Sequence, residues 1–502
     1  MILDQKKGGV VLSYGQMVSN VLVKFIYTPF LLHALGQNEY GLFSLIMSIV
    51  GYLAILDMGF GSTVTRYTVK YRTENDEEKL LNLYGTLSVV YIGIGVLALV
   101  VCAILNLSAD RLFSNTMTID EIGKIRLMII LCGLNLLFSF PLQIARSVLI
   151  AYERFIFKNG LEVIRTYLQP LTLVLLLYFV HIKSVGAIVV VTFFNLLTYL
   201  IYYIYAVRNL GFRFSIRAFC PDMIPMLFKF SIWMFFLMLF EQIQYNSGQF
   251  ILGLFKDSAT IAVWGIAMIF VLNYRALSTA ISNVYLPTII SSKVRNNINE
   301  MNEVIYKMTR YQAIILIIVL LNFILFGSRF LTLWAGQTYS VAYNACVLIM
   351  IPMFLALIMD FSYLYQIAAN ELRYRVVTLF SGYLLSFVTI YTLTEITIES
   401  YAVIIAISMI FGQIIAPLFY VKRKMRVNMI KLFTDIVRAI IAPSLISIMM
   451  FFVIEIIGGY STMLFLVELL VYNLVLLTCI YKFSFNKYEK DLLTQRIKHR
   501  RA

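Results

Sequence analysis

Runs of about twenty apolar residues recur along almost the whole chain, and no other feature constrains its fold as strongly. A run of this length crosses a bilayer as an α-helix, because the hydrocarbon core offers no partner to unpaired backbone groups. The 502 residues are 61% hydrophobic and 13% charged. The charged share is about half that of a soluble domain. The sequence therefore predicts an all-α integral membrane protein.

The apolar runs predict fourteen transmembrane spans. They lie at 9–33, 41–65, 83–107, 124–151, 159–181, 184–207, 227–255, 259–287, 309–333, 340–366, 376–395, 399–421, 439–458 and 462–482. With the N-terminus inside, 31 of the 41 Lys and Arg residues fall on the cytoplasmic side and six on the outer side. This positive-inside bias predicts an even number of spans with both termini cytoplasmic. It also assigns the net charge of +15 to topology and to contact with membrane lipids, not to nucleic acid.

The rhythm of the connections repeats after six spans. Long basic cytoplasmic loops are expected at 66–82 and 288–308, and longer outer loops at 108–123 and 334–340. Because six is even, both copies have the same orientation, which predicts two parallel six-helix lobes around a central cavity. The expected divisions are an N-lobe (1–210), a cytoplasmic linker (211–226), a C-lobe (227–421), helices 13 and 14 with their preceding basic loop (422–482), and a basic cytoplasmic tail (483–502).

A polar stripe follows the first span. Ser13, Gln16, Asn20, Lys24 and Tyr27 are spaced by three or four residues and share one helical face. A charge at mid-span is costly and indicates a cavity or a partner. Lys24 is therefore a candidate to bind an anionic substrate group, and a structural ion pair with an acidic residue is the alternative.

The seventh span carries the acidic candidate, Glu241, in an unusually polar stretch. We expect this side chain to act as a protonatable coupling site or to neutralise Lys24. The polar neighbours predicted to line the cavity are Gln242, Gln244, Asn246 and Gln249.

Other charges lie within the spans. Arg275 shares a face with Thr279 and Ser282, and its planar guanidinium suits a diphosphate, with helix pairing as the alternative. Arg146 is a further candidate for the same anion. On the fifth span, the spacing of Glu162 and Arg165 predicts an intrahelical ion pair.

Two aspartates lie toward the inner ends of their spans. Asp57 stands in an Asp-x-Gly-x-Gly stretch and is expected to mark an inner gate or a bend. Asp360 is grouped with it as a coupling or gate residue, with simple proximity to water as the alternative.

The stretch from Tyr27 to Lys79 reads YTPFLLHALGQNEYGLFSLIMSIVGYLAILDMGFGSTVTRYTVKYRTENDEEK. It resembles the N-terminal signature of the Wzx-type polysaccharide flippases, which belong with the MATE drug exporters and the lipid II flippase MurJ in the MOP superfamily. The matching positions are Leu35-Gly36 before Glu39-Tyr40-Gly41, then Leu56-Asp57-x-Gly59-x-Gly61, then Arg66-Tyr67 and Lys70-Tyr71-Arg72.

The resemblance implies alternating access between two six-helix lobes and a polyprenyl-diphosphate-linked oligosaccharide as substrate. It implies a lipid-tail groove at helices 13 and 14, a bacterial or archaeal cytoplasmic membrane, and a polysaccharide polymerase and other assembly proteins as partners. The diphosphate is then expected at Lys24 and Arg275.

The chain has no Walker A pattern, no Gly-x-Ser-x-Gly elbow and no His-Glu-x-x-His motif. We therefore expect a transporter without a cofactor and not an enzyme, driven by an H⁺ or Na⁺ gradient or by consumption of the product. Two alternatives remain. A MATE-like multidrug exporter requires an acidic cavity, and a membrane glycosyltransferase or polysaccharide polymerase requires a large outer loop with catalytic carboxylates.

Overall fold

In the computed structural model, the described residues are 2–213, 216–369, 371–392, 396–457, 461–486 and 490. They form helices and connections, and no β-strand occurs among them. The all-α fold class is therefore confirmed. The chain divides into two compact units, Met1–Gly265 and Ile266–Ala502, and the boundary falls inside one long helix, α9. The lobe boundaries inferred from the loop rhythm stay a prediction.

The first unit contains eight complete helices and the beginning of α9. They are α1 (Ile2–Leu35), α2 (Gln37–Ala54), α3 (Phe60–Thr73), α4 (Glu77–Phe113), α5 (Ile119–Ala151), α6 (Phe155–Phe179), α7 (Ser184–Leu210), α8 (Ile224–Phe255) and α9 (Ser258–Val294). Helix α4 packs along α5, α5 along α7, and α1 along α6, while α8 packs against α2. The core at these contacts includes Phe60, Tyr91 and Tyr202, which are fully buried.

The second unit continues from α9 with eight further α-helices. They are α10 (Ile298–Ala335), α11 (Ala342–Ile358), α12 (Asp360–Ala368), α13 (Leu372–Thr392), α14 (Ile398–Met409), α15 (Ala416–Lys424), α16 (Met429–Ile457) and α17 (Thr462–Cys479). A π-helical segment, Ile410–Ile415, joins α14 to α15, and another, Ile480–Ser484, follows α17. Helices α10, α16 and α17 share a small apolar core around Tyr472.

The exposed side chains of these helices are largely apolar. On the last two helices, Ile430, Ile456 and Met463 are 80%, 84% and 76% exposed. A water-soluble protein rarely leaves such contiguous apolar surface open. The surface therefore fits contact with lipid.

Within the described residues, eleven helices are long and apolar enough to cross a membrane, or twelve if the bent pair Pro221–Phe228 and Ser231–Phe255 counts as one span. The predicted count of fourteen stays a prediction. The predicted first span falls in α1, whose shorter apolar part is Ser19–Leu35. The predicted span at 376–395 ends in residues 393–395, outside the described part of the chain.

The helices extend past the predicted spans, so the segments predicted as long loops at 66–82 and 288–308 are mostly helical, and their cytoplasmic placement stays a prediction. Helix α3 continues to Thr73 and α4 begins at Glu77, and α9 continues to Val294 before α10 begins at Ile298. Hydropathy identifies only the part of a helix that lies in lipid. A charged part of the same helix that extends into water is still helical, but it falls outside the predicted span.

The outer loop predicted at 108–123 is also mostly helical. Helix α4 ends at Phe113 and α5 begins at Ile119. The Thr118 side chain accepts a hydrogen bond from the Glu121 amide, and the Glu121 carboxylate accepts one from the Thr118 amide. This capping box satisfies two free donors and fixes the start of α5.

A break separates α2 from α3. Ile55–Asp57 forms a 3₁₀ turn, and Met58 and Gly59 then adopt left-handed conformations with φ of 51° and 70°. A left-handed residue cannot continue a right-handed helix, so the chain bends here. The bend lies at the Asp57 stretch, where the sequence analysis expected a bend or a gate. A second break, at Met359, divides the predicted span 340–366 into α11 and α12.

Candidate functional site

Lys24 lies on an exposed face of α1 that differs from the apolar face. Leu22, Ile26 and Phe30 form an exposed apolar stripe and are 55%, 65% and 59% exposed. At 100° per residue, Lys24 is about 160° around the helix from the centre of that stripe. The Lys24 side chain is exposed as well. Helix α1 therefore has two open faces, one apolar and one with a cation.

The polar face of α1 contacts α6. Thr166 Oγ1 donates to Asn20 Oδ1 at 3.3 Å, and Tyr167 OH donates to Ser19 Oγ at 2.8 Å. These contacts join the two helices at the depth of the predicted polar stripe. Asn20 is thus partly used in helix packing.

Two further members of the stripe are partly accessible. Gln16 and Tyr27 are half-buried. Within the part of the chain that the structure describes, no acidic group lies within 4.0 Å of the Lys24 ammonium, so the alternative ion pair with Glu241 is not formed. The Lys24 carbonyl accepts a hydrogen bond from Thr28 Oγ1 at 2.7 Å.

The polar residues of α8 are inside the first unit. Gln242 and Asn246 are half-buried and face Gly51 of α2, where a Cβ atom would stand 2.3 Å from Gln242 Nε2. A larger residue at position 51 would therefore require the end of the Gln242 side chain to move. Gln244 and Gln249 are buried. Glu241, on the same helix, is half-buried.

Asp57 is held at the α2–α3 break by a hydroxyl from α4. Tyr91 OH donates to Asp57 Oδ1 at 2.7 Å, and Tyr91 is fully buried. The backbone amides of Gly59 and Gly61 face the same carboxylate, and the Arg146 guanidinium is close enough to interact with it electrostatically. The bend therefore has a charged group with several compensating partners.

Arg146 of α5 faces an acidic partner on α6. Its Nε atom is 3.9 Å from Glu162 Oε1. Tyr202 OH of α7 donates to the same Oε1 atom at 3.1 Å. Arg165 Nε donates instead to Gln169 Oε1 at 3.1 Å, so the predicted Glu162–Arg165 pair is wrong. The helices bring Arg146 to Glu162 from another element, which sequence spacing does not show.

We refer to Asp57, Tyr91, Arg146, Glu162 and Tyr202 as the charge network. Tyr199 of α7 lies close enough to interact electrostatically with Asp57, Arg146 and Glu162, which links the two halves of the network. Sequence reasoning did not identify Tyr91, Tyr199 or Tyr202 as candidate residues. The sequence nevertheless contains a signal for them. A carboxylate within a span needs hydrogen-bond donors, and tyrosines in the middle of spans supply them.

The candidate site residues of the second unit lie on two helices, α9 and α12. Arg275 is half-buried on α9, and Thr279 Oγ1 donates to the Arg275 carbonyl at 3.2 Å. Thr279 is exposed, while Ser282 is buried and accepts a hydrogen bond from Gln312 Nε2 at 2.9 Å. Asp360 is half-buried at the first position of α12.

A family of proteins described as polysaccharide biosynthesis proteins matches residues 6–293, more than half of the chain. No curated protein sequence matches this chain. The family match covers the first unit from residue 6 onward, including most of α1, all of α8 and the charge network.

Solved structures of transporters share the fold at low sequence identity. The lipid II flippase MurJ, in an inward closed conformation, superposes with a TM-score of 0.71 at 16% identity, over 97% of this chain and 99% of that one. An inward-facing multidrug resistance MATE family transporter of the MOP superfamily gives 0.62 at 14%, over 84% and 96%. A MOP superfamily transporter from Pyrococcus furiosus, titled for the reverse polarity of its binding pocket, gives 0.51 at 15%, over 84% and 96%. At these identities the likeness shows the fold alone.

Proposed function

This chain belongs to the polysaccharide biosynthesis protein family and has the fold of the MOP superfamily transporters, and from this membership we propose that it translocates a polyprenyl-diphosphate-linked oligosaccharide. The proposed setting is the cytoplasmic membrane, with both termini cytoplasmic, and the product serves O-antigen or capsule assembly of the Wzx type. A polysaccharide polymerase would take the glycan on the far side.

The observation that carries the proposal is the open cationic face of α1. An ammonium at mid-span has an insertion cost of about 2.5–3.5 kcal/mol unless it meets water or an anion. Lys24 is exposed, faces away from the apolar stripe of its helix and has no acidic partner among the described residues. A diphosphate that passes through a hydrated cavity would satisfy it.

Arg275 and Arg146 are proposed as the further cations that bind the diphosphate. Arginine presents paired donors that match phosphate oxygens. Arg146 already has Glu162 nearby at 3.9 Å, so a substrate anion would compete with that carboxylate. The polar side chains of α1 and α8, with Thr279, would contact the glycan.

Energy coupling is assigned to acidic groups. Glu241 is half-buried on the polar helix α8, and Asp57 lies at the α2–α3 bend. A carboxylate at a bend changes the local charge balance when it binds H⁺ or Na⁺, which gives a route from an ion gradient to helix movement. Asp360, at the α11–α12 break, is the corresponding candidate in the second unit.

The test is translocation by the purified protein in proteoliposomes, with a fluorescent glycan on a short polyprenyl diphosphate. We expect Lys24→Ala to lower the initial rate at least about tenfold, because a charge-assisted hydrogen bond contributes about 1.5–3 kcal/mol. Lys24→Arg keeps the charge and should retain most of the rate. Arg208→Ala, which removes an exposed cation at the end of α7, is the matched control.

The double variant Lys24→Ala/Arg275→Ala should abolish translocation while its thermal unfolding stays cooperative. A folded double variant that translocates at the wild-type rate would show that these cations do not bind the diphosphate.

A further inference from the structure

A second cationic site lies in the second unit, at the helix ends that the charge pattern places on the cytoplasmic side. A cavity of about 270 Å³ opens where α9 ends, α10 begins and α15 ends. We call it the basic pocket, and define it by the lining residues Ser292, Lys293, Tyr365, Lys424 and Arg426. None of the residues proposed for substrate binding lines it.

Among the residues that the structure describes, three cations line the basic pocket and no carboxylate does. Lys293 Nζ donates to Tyr365 OH at 2.6 Å, which positions the ammonium and leaves its other protons available. Tyr365 OH in turn donates to the Lys424 carbonyl at 3.4 Å. The cations are thus arranged around a tyrosine that connects α12 to the end of α15.

The neighbouring carboxylates are occupied by other cations or exposed. Glu300 accepts from Arg295 NH2 at 2.9 Å, outside the pocket. Glu371 lies 3.5 Å from Lys424 Nζ, but both side chains are substantially exposed, and such pairs contribute little and exchange readily. The pocket therefore keeps an excess of positive charge.

The Arg426 backbone is hydrogen-bonded to α10, whereas the Arg426 side chain is exposed. Its carbonyl accepts from Asn302 Nδ2 at 2.8 Å, which holds the segment after α15 against α10. Its guanidinium is exposed and has no ion-pair partner within the described part of the chain. A fixed backbone with a free guanidinium is suited to binding an anion.

Ser292 supplies an independent observation. It is fully buried and lines the pocket, and its Oγ atom has no hydrogen-bond partner among the described residues. Serines within helices usually donate to a carbonyl three or four residues earlier, as Ser291 does to Thr288 at 3.0 Å. Burying a hydroxyl without a hydrogen-bond partner has a free-energy cost, which indicates that a ligand forms the missing hydrogen bond.

We infer that the basic pocket binds one phosphate group, held by Lys293, Lys424 and Arg426 and by the Ser292 hydroxyl. A cavity of about 270 Å³ is just below the usual range for drug-sized ligands, so it suits a single headgroup-sized anion. The phosphate is that of an inner-leaflet lipid headgroup or of a soluble phosphate compound. This inference does not depend on the proposed transport function.

Two binding measurements on the full-length protein separate the sources. In one, detergent-solubilised protein is titrated calorimetrically with inorganic phosphate. In the other, native mass spectrometry compares lipid retained from nanodiscs of phosphatidylglycerol and of phosphatidylcholine. Phosphate binding in the first arm identifies a soluble ligand, and selective retention of phosphatidylglycerol identifies a lipid headgroup; either supports the site. Binding in neither arm overturns it.

The variant Lys293→Gln/Arg426→Gln should weaken the observed binding at least about tenfold. Lys422→Gln/Arg423→Gln removes two exposed cations from the same helix end without touching the pocket and should bind as the wild type does. Ser292→Ala should weaken binding several-fold while thermal stability is unchanged or higher, because its hydroxyl has no partner in the protein to lose. Unchanged binding in the folded double variant overturns the inference.

Discussion

The charges inside the membrane spans of the first unit fall into two kinds at the scale of single residues. Asp57, Arg146 and Glu162 are compensated by each other and by Tyr91 and Tyr202. Lys24 is not compensated by the protein in the described part of the chain. A compensated charge already has a stabilising partner in the protein, whereas an uncompensated one requires water or a ligand. Function is therefore assigned first to Lys24.

The Tyr91–Asp57 hydrogen bond gives a test at this scale. Tyr91→Phe removes the donor from a buried carboxylate and should lower the free energy of unfolding by about 1 kcal/mol. The measurement is thermal unfolding in detergent. Tyr203→Phe is the control, since the Tyr203 hydroxyl makes no hydrogen bond among the described residues. Equal stability of the two variants would show that this bond does not hold the α2–α3 bend.

The helices that carry these charges could be predicted from the sequence, and the partners of the charges could not. Hydropathy placed Lys24, Arg146 and Arg275 within spans. The spacing of Glu162 and Arg165 pointed to the wrong pair, because Arg146 reaches Glu162 from α5. Contacts between helices depend on packing angles and on rotation about each axis, and neither is encoded in local spacing.

At the scale of elements, the long helices and their order were predictable and their ends were not. The apolar run at 159–181 became α6 (Phe155–Phe179), and the run at 184–207 became α7 (Ser184–Leu210). The loop expected at 66–82 was reduced to a short turn because charged residues extend α3 and α4 beyond lipid. Hydropathy measures the membrane-embedded length, while capping and tertiary contacts set the helix ends.

Close packing of α2 against the start of α9 makes a prediction for an element. A Cβ atom at Gly41 would stand 1.8 Å from the Ser258 carbonyl oxygen, a backbone atom that cannot rotate away. Gly41→Ala should therefore destabilise the protein by about 1–3 kcal/mol, as overpacking does. Thermal unfolding in detergent measures the effect.

Gly93→Ala on α4 is the matched control, because nothing lies within 4 Å of a Cβ atom there. Alanine has the higher helix propensity, so this variant should be as stable as the wild type or more so. If both variants unfolded at the same temperature, the close contact between α2 and α9 would not exist in the protein.

For the whole molecule, the distribution of basic residues predicts which connections face the cytoplasm. The test starts from a variant in which all five native cysteines are replaced, so that only the introduced cysteine reacts. Four of the five native cysteines are buried in the folded chain. In intact cells, a membrane-impermeant maleimide should label Lys183→Cys, on the predicted outer side, and should not label Arg208→Cys. The reverse pattern would invert the assigned orientation.

The central claim for the whole molecule is that the chain moves a lipid across the bilayer by its diphosphate. The most direct measurement is translocation in proteoliposomes of one glycan attached either to a polyprenyl diphosphate or to the same polyprenol through an uncharged linkage. A fluorescent cationic drug is assayed beside them. The account predicts that the diphosphate-linked glycan moves and that the other two compounds do not. Equal movement without the diphosphate, or movement of the cationic drug alone, would contradict it.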